Sequence, residues 1–177
     1  MNSTVLIGMM GAGKSSVGRC LQKRTGLALF DMDEMVAAKF GSSISRIFEE
    51  HGEENFRDAE TEVLRGLARS AGQRHSSGGE KSIVVTGGGI VLRGENIDLL
   101  QRLGTIVWLD AEAEILFERA STKGNRPLLE TENPRKTFSQ LLEARRPLYA
   151  KIANVRIDTS GRNEEEVAKE ILEKIEH

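Results

Sequence analysis

Gly8-Met9-Met10-Gly11-Ala12-Gly13-Lys14-Ser15 lies between an apolar run, Thr4-Val5-Leu6-Ile7, and a stretch that reads as helix. Strand, glycine loop and helix in this order carry the G-x-x-x-x-G-K-[ST] spacing of a phosphate-binding loop. Glycines let successive backbone N–H groups turn inward on an anion with no Cβ in the way. The following helix aims its positive end at the same point. Lys14 can then reach β- and γ-phosphates, and Ser15 can place a hydroxyl on Mg²⁺. A merely structural glycine turn is the alternative, and the strand before, the helix after and Lys14-Ser15 in place weigh against it.

Beyond the loop, strand-like apolar runs alternate with helical patterns, which argues for a parallel sheet with helices on both faces. The first helix is expected from Lys14 to Arg24, stopped by Gly26. Leu27-Ala28-Leu29-Phe30 reads as the second strand, ending at Asp31, with Asp33 capping a helix that runs to Lys39 and closes at Gly41. A helical stretch spans Ser43 to Ser70, broken near His51-Gly52. Ile83-Val84-Val85-Thr86 is the third strand, Ile97–Leu103 a short helix, and Thr105–Asp110 the fourth strand. A helix over Ala113–Ala120, a fifth strand at Val155–Asp158 and a last helix from Asn163, with Glu166 completing a capping box, finish the pattern. Ala71–Lys81 is polar and Ser/Gly-rich and reads as a loop. It enters the third strand from its amino end, away from the carboxyl strand ends where such sheets bind ligands. Ser121–Pro134, with Lys123, Gly124, Asn125, Arg126 and Pro127, has the make-up of a mobile cover over a phosphate site; an inert helix connection is the other reading.

The 177 residues suit one domain with a sizeable core. A net charge of −2 without any Lys/Arg block gives no electrostatic footprint for nucleic acid. No apolar run is long enough to span a membrane, and no signal peptide is expected. Cys20 is the sole cysteine, on an apolar helix face where core packing explains it; a reducing, cytoplasmic setting follows. His51, His75 and His177 are scattered, which speaks against a metal cluster.

Asp31 and Asp33 fall at the carboxyl end of the second strand, beside the phosphate loop in a doubly wound sheet. One can hold a water of the Mg²⁺ shell and one can orient a substrate hydroxyl. The third strand ends Val85-Thr86-Gly87, with no acid to serve as a second metal carboxylate, which shifts the metal role toward Asp31. Arg57 is a planar cation suited to a carboxylate or phosphate; a solvated arginine paired with Asp58 or Glu60 is the plainer reading of that residue alone. Gly87-Gly88-Gly89 at a strand end permits close approach of a ligand to backbone.

Taken together, these pieces resemble shikimate kinase over nearly the whole chain. The matching segments are the loop at 8–15, Asp31-Met32-Asp33, Ile47-Phe48, Gly52-Glu53, Phe56-Arg57, Gly87-Gly88-Gly89, Arg126-Pro127-Leu128-Leu129 and Arg145-Arg146-Pro147-Leu148-Tyr149. The resemblance implies a single P-loop kinase domain over 1–177: a three-layer α/β/α fold on a five-stranded parallel sheet, with a shikimate-binding segment at 31–60 and a lid at 121–134. It implies transfer of the γ-phosphoryl of ATP to the 3-hydroxyl of shikimate, on the route to chorismate and the aromatic amino acids. Gly11, Ala12, Gly13, Lys14, Ser15 and Ser16 would hold the ATP phosphates. Ser15 would bind Mg²⁺ directly, and Asp31 through water. Asp33 would bond shikimate hydroxyls and is the candidate base. Arg57 and Arg145 would clamp the shikimate carboxylate, and Gly88, flanked by Gly87 and Gly89, would touch the substrate through its backbone. Arg126 would reach the transferring phosphate, and Arg119 and Arg162 would flank adenine. A monomer acting on shikimate and ATP, without nucleic acid or membrane, is expected. Asn163-Glu164 stands where some relatives place a proline, and the 71–81 loop is longer than usual.

Four rival readings are weaker. Arg57, Arg145 and the triple glycine weigh against a gluconate kinase. Segment 31–60 is too small and too poor in aromatics for the second nucleotide of a nucleoside monophosphate kinase. A guanine-nucleotide switch would carry Asn-Lys-x-Asp, which does not occur. A non-catalytic binding module would usually have lost Lys14, Asp33 or Arg126.

Overall fold

Val5-Leu6-Ile7, Ile83-Val84-Val85 and Ile106-Val107-Trp108-Leu109 are apolar without alternation, the pattern of strands covered on both faces. In the computed structural model, which describes residues 3–75, 81–122 and 127–175, every residue of these runs is buried. They form the middle of a five-stranded sheet made of β1 (Ser3–Ile7), β2 (Ala28–Asp31), β3 (Ser82–Val85), β4 (Gly104–Asp110) and β5 (Val155–Asp158). The order is β2-β3-β1-β4-β5 and every pairing is parallel. Leu6 and Asp31 are both in register with Val85. The loop after β1, the acid ending β2 and the glycines after β3 therefore leave the sheet along the same edge.

Helices α1 (Lys14–Thr25), α2 (Met32–Phe40), α3 (Ile44–His75), α4 (Gly94–Leu103), α5 (Ala113–Thr122), α6 (Pro134–Ile152) and α7 (Glu164–Ile175) connect and flank the strands. α1 packs against β1, β2 and β3 and against α7, which also covers β5, while α4 packs against β4 and β1 and carries α3 on it, and α6 lies on β4. Most apolar side chains form one core, and a second cluster of Val36, Ile47, Phe56 and Ala59 welds α2 to α3 beside it. Cys20 sits in the main core, as its helix face implies, and burial pushes its thiol pKa up.

Several boundaries follow local chemistry. Gly26 and Gly41 end α1 and α2. Asn163 and Glu166 exchange reciprocal bonds of 3.0 Å between side chain and backbone N–H, the capping box expected there. The break expected near His51-Gly52 is present: α3 is interrupted at Gly52, with φ 80° and ψ 167°.

Three expectations are corrected. Asp33 does not cap α2; Asp31 does, its Oδ1 accepting from the Asp33 N–H at 3.1 Å. β2 ends at Asp31 as expected, but the helix follows it directly from Met32, two residues earlier than a cap at Asp33 would place it, and Asp33 falls in its first turn. Residues 71–75 are helical rather than loop, because Leu64, Leu67 and Ala71 continue an apolar face into the core and override the local Ser/Gly preference; 76–80 lie outside the described residues. The short helix at 97–103 begins at Gly94, after a 3₁₀ turn at Ile90–Leu92 that the sequence pattern does not announce.

The backbone at Gly52 lies in a region that residues with a Cβ avoid, so Gly52→Ala is expected to cost on the order of 1–3 kcal/mol. Gly66 is helical with open space where a Cβ would go. Gly66→Ala is expected to stabilise by about 0.4–1 kcal/mol. Denaturant midpoints of the two variants check both signs.

Candidate active site

Gly11 has φ 86°, and a Cβ there would overlap the Leu116 carbonyl, so only glycine fits this point of the loop against α5. Lys14 folds along the loop, its Nζ donating to the carbonyls of Gly8 at 2.8 Å and Met9 at 3.1 Å. Ser15, in the first turn of α1, donates from Oγ to Asp31 Oδ2 at 2.8 Å. The two form an all-oxygen pair beside the positive end of a helix, a donor set that suits Mg²⁺ held jointly with phosphates and water. Among the described residues no group of three or more acidic, His or Cys side chains offers another metal site.

Two cavities meet above this strand edge. The larger, about 300 Å³, is floored by Met10 through Val17 and walled by Thr86, Arg119, Thr159 and Arg162. Arg119 is fixed by bonds to the Thr159 hydroxyl at 3.0 Å and carbonyl at 2.9 Å. Arg162 is tied to the Asp158 and Glu166 carbonyls and to Glu170. The smaller cavity, about 150 Å³, is lined by Ile44, Phe48 and Phe56 on its apolar side and by Arg57, Glu60, Gly87, Gly89 and Arg145 on its polar side. Met10, Asp33 and Gly88 border both. A group bound on the phosphate loop and a group bound in the smaller cavity would therefore meet at Asp33.

The smaller cavity is electrostatically unusual. Arg57 is buried and pairs with Glu60 at 2.5 Å and with Glu53 at 2.9 Å. The solvated-arginine reading thus fails in its exposure, though Glu60 is indeed a partner; Asp58 instead meets Arg93. Burial alone would lower the Arg57 pKa, and Glu60 and Glu53 more than offset it. Arg145, on α6, is 2% exposed, and among the described residues no carboxylate lies within ion-pair distance. Its Nε has no hydrogen-bond partner. Burial, with Arg57 nearby adding to it, lowers its pKa against the more distant pull of Glu53.

Gly87 and Gly89 stand where a side chain would crowd the charged groups of the site. A Cβ on Gly87 would lie 2.5 Å from Glu60 Oε1 and 2.9 Å from Asp33 Oδ1, and one on Gly89 would overlap the Arg57 guanidinium. Asp33, Glu60, Arg57 and Arg145 thus converge on one short stretch of bare backbone.

Sequence reasoning placed Gly11–Ser16, Asp31, Asp33, Arg57, Gly87–Gly89, Arg119, Arg145 and Arg162, and the structure brings all of them to the two cavities or their floor. Arg126 lies outside the described residues, as does 123–126 of the expected lid; Pro127–Leu129 form a 3₁₀ turn whose first two residues reach the smaller cavity. Glu60 was weighed only as a surface partner. Its spacing of three from Arg57 on a helix, followed by buried Thr61 and Leu64, was the signal for an inward position.

Residues 10–176 match the shikimate kinase family. The chain belongs to that family. It is 44% identical to the shikimate kinase of Symbiobacterium thermophilum over 97% of this chain and 95% of that one. It is 41% identical to that of Thermodesulfovibrio yellowstonii, over 99% and 96%. Among solved structures it superposes on a shikimate kinase from Acinetobacter baumannii in complex with shikimate, with a TM-score of 0.89, 35% identity, and coverage of 99% of this chain and 93% of that one.

The buried Glu60 gives a pH signature. Desolvation raises its pKa above the ordinary 4.5, against the pull of Arg57 and with the help of Asp33. A carboxyl raised on folding contributes stability fully below its ordinary value and loses it as pH climbs through the folded one. As pH rises from 4.5, the parent protein should therefore lose stability relative to Glu60→Gln. Paired urea titrations across that range measure it, and a relative gain by the parent would mean that Arg57 governs the group instead.

Proposed function

We propose that this protein transfers the γ-phosphoryl of ATP to the 3-hydroxyl of shikimate, giving shikimate 3-phosphate and ADP for chorismate and aromatic amino-acid synthesis. The observation that carries the reading is Arg145, a guanidinium held out of water beside Arg57 with no carboxylate within reach among the described residues. An uncompensated buried charge is expensive. A small acid bound in the 150 Å³ cavity supplies the missing anion, and its ring fits the wall of Ile44, Phe48 and Phe56.

The triphosphate lies along Gly11–Ser16, with the nucleoside toward Arg119 and Arg162. Ser15 directly, and Asp31 through water, would hold Mg²⁺, which neutralises charge on the β- and γ-phosphates when bound. The shikimate carboxylate takes the Arg57–Arg145 end, and its hydroxyls face Asp33 and the Gly87–Gly89 backbone. The 3-hydroxyl oxygen bonds to the γ-phosphorus as the bond from that phosphorus to the β–γ-bridging oxygen breaks with its electron pair leaving on ADP, and the hydroxyl proton is released to solvent past Asp33. Charge spreads over the equatorial phosphoryl oxygens, so Lys14 and, from the lid, Arg126 are the stabilising donors. A loose transition state asks little of a base, and Asp33 acts mainly by aligning the hydroxyl.

Residues 1–177 act as one kinase domain, with 31–60 as acceptor segment and 121–134 as lid. Both cavities are built by a single chain, which supports a monomer. The weak net charge supports an enzyme without nucleic-acid or membrane partners, and the sole cysteine, buried, supports a cytoplasmic setting. No described helix is long and apolar enough to cross a membrane.

An ADP-release assay offering shikimate, gluconate and nucleoside monophosphates should show turnover with shikimate; preference for another acceptor would sink the reading. Asp33→Asn should retain far more turnover than Asp33→Ala, whereas equal near-total losses would make Asp33 a true base. Arg126→Ala should lower kcat by about tenfold or more, as loss of one transition-state donor does; an unchanged kcat removes it from the chemistry.

A further inference from the structure

Tyr149 belongs to the Arg145–Tyr149 segment but lines neither cavity. It is fully buried, one helical turn after Arg145 on the same face of α6. Its hydroxyl donates to the Gly88 carbonyl, and it lies 4.0 Å from Met9 Sδ, the same sulfur that the Arg145 guanidinium approaches at 4.0 Å. The phenol therefore stands where the phosphate loop, the glycine stretch after β3 and the cavity arginine come together.

We propose that Tyr149 is a positioning residue for the acceptor acid, its phenol fixing the Gly88 peptide from behind the cavity. The inference rests on the shikimate reading given above. Gly88 lacks a side chain and borders both cavities, so nothing of its own sets its peptide plane. Pinning its carbonyl to Tyr149 also sets the direction of the Gly89 N–H, which in a trans peptide points opposite to it. Burial pushes the phenol pKa far up, so Tyr149 stays a donor at every working pH. A tyrosine that only filled core volume would need no bond to Gly88.

Tyr149→Phe keeps the ring and removes the hydrogen bond to Gly88. In steady-state assays, KM for shikimate should rise by about tenfold, the worth of one buried hydrogen bond, while KM for ATP stays within about twofold. A lowered melting temperature with unchanged KM for shikimate, or equal rises for both substrates, would overturn the proposal. Should the variant fold poorly, the parent serves, because Tyr149 is its single tyrosine. Protein grown with 3-fluorotyrosine gives one ¹⁹F resonance, which should move on saturation with shikimate and move less with ADP. A resonance indifferent to shikimate in an enzyme that turns it over overturns the role of Tyr149 alone. Absence of shikimate turnover in the parent overturns the underlying reading and this inference with it.

Discussion

The site depends on two guanidinium groups kept out of water side by side. Arg57 is tolerable there because Glu60 and Glu53 neutralise it from its own helix. Arg145 has no such escort among the described residues, and its burial makes the smaller cavity a demand for an anion. Like charges in a dry site repel, so the pair holds its geometry only because α6 is tied to the sheet and α3 is packed on α2 and α4.

That locking traces to other buried groups. Asp110, at the end of β4, receives Arg146 at 3.2 Å and Arg156 at 2.8 Å, and Arg146 also bonds the Ala111 carbonyl. Adjacent residues of α6 thus divide the work, with Arg146 tying the helix to the sheet and Arg145 facing the cavity. On the other side, the cluster of Val36, Ile47, Phe56 and Ala59 carries Arg57 on α3 against α2, and so against Asp33. The Gly52 break lets the first part of α3 swing its Ile44 and Phe48 side chains onto the cavity.

The phosphate side is simpler. Its donors are backbone groups and the first turn of α1, set by glycines whose positions the motif fixes. The parallel sheet contributes by bringing the ends of β1, β2 and β3 to one edge, so that Ser15 and Asp31, sixteen residues apart, share a hydrogen bond. Coupling between nucleotide and acceptor then needs only a shared border, which Met10, Asp33 and Gly88 provide.

The chain by itself determined the strands, the phosphate loop, the glycine stops and most of the site, because these rest on local rules: apolar runs, glycine backbone freedom, and motif spacing within one turn of strand or helix. Asp33 was legible as a site residue but misread as a cap, since either of two aspartates two residues apart can cap and only the fold shows that Asp31 turns its carboxylate onto the Asp33 N–H. The helix through 71–75 was missed because its support is a core face rather than its own residues. What only the tertiary structure decided is which charges are buried. Glu60 and Tyr149 look ordinary in sequence and become an inward carboxylate and a buried phenol once α3, α6 and the glycine stretch close around the cavity. Desolvation is a property of everything that surrounds a group, and those surroundings come from segments as far apart in the chain as Met9 and Tyr149, 140 residues.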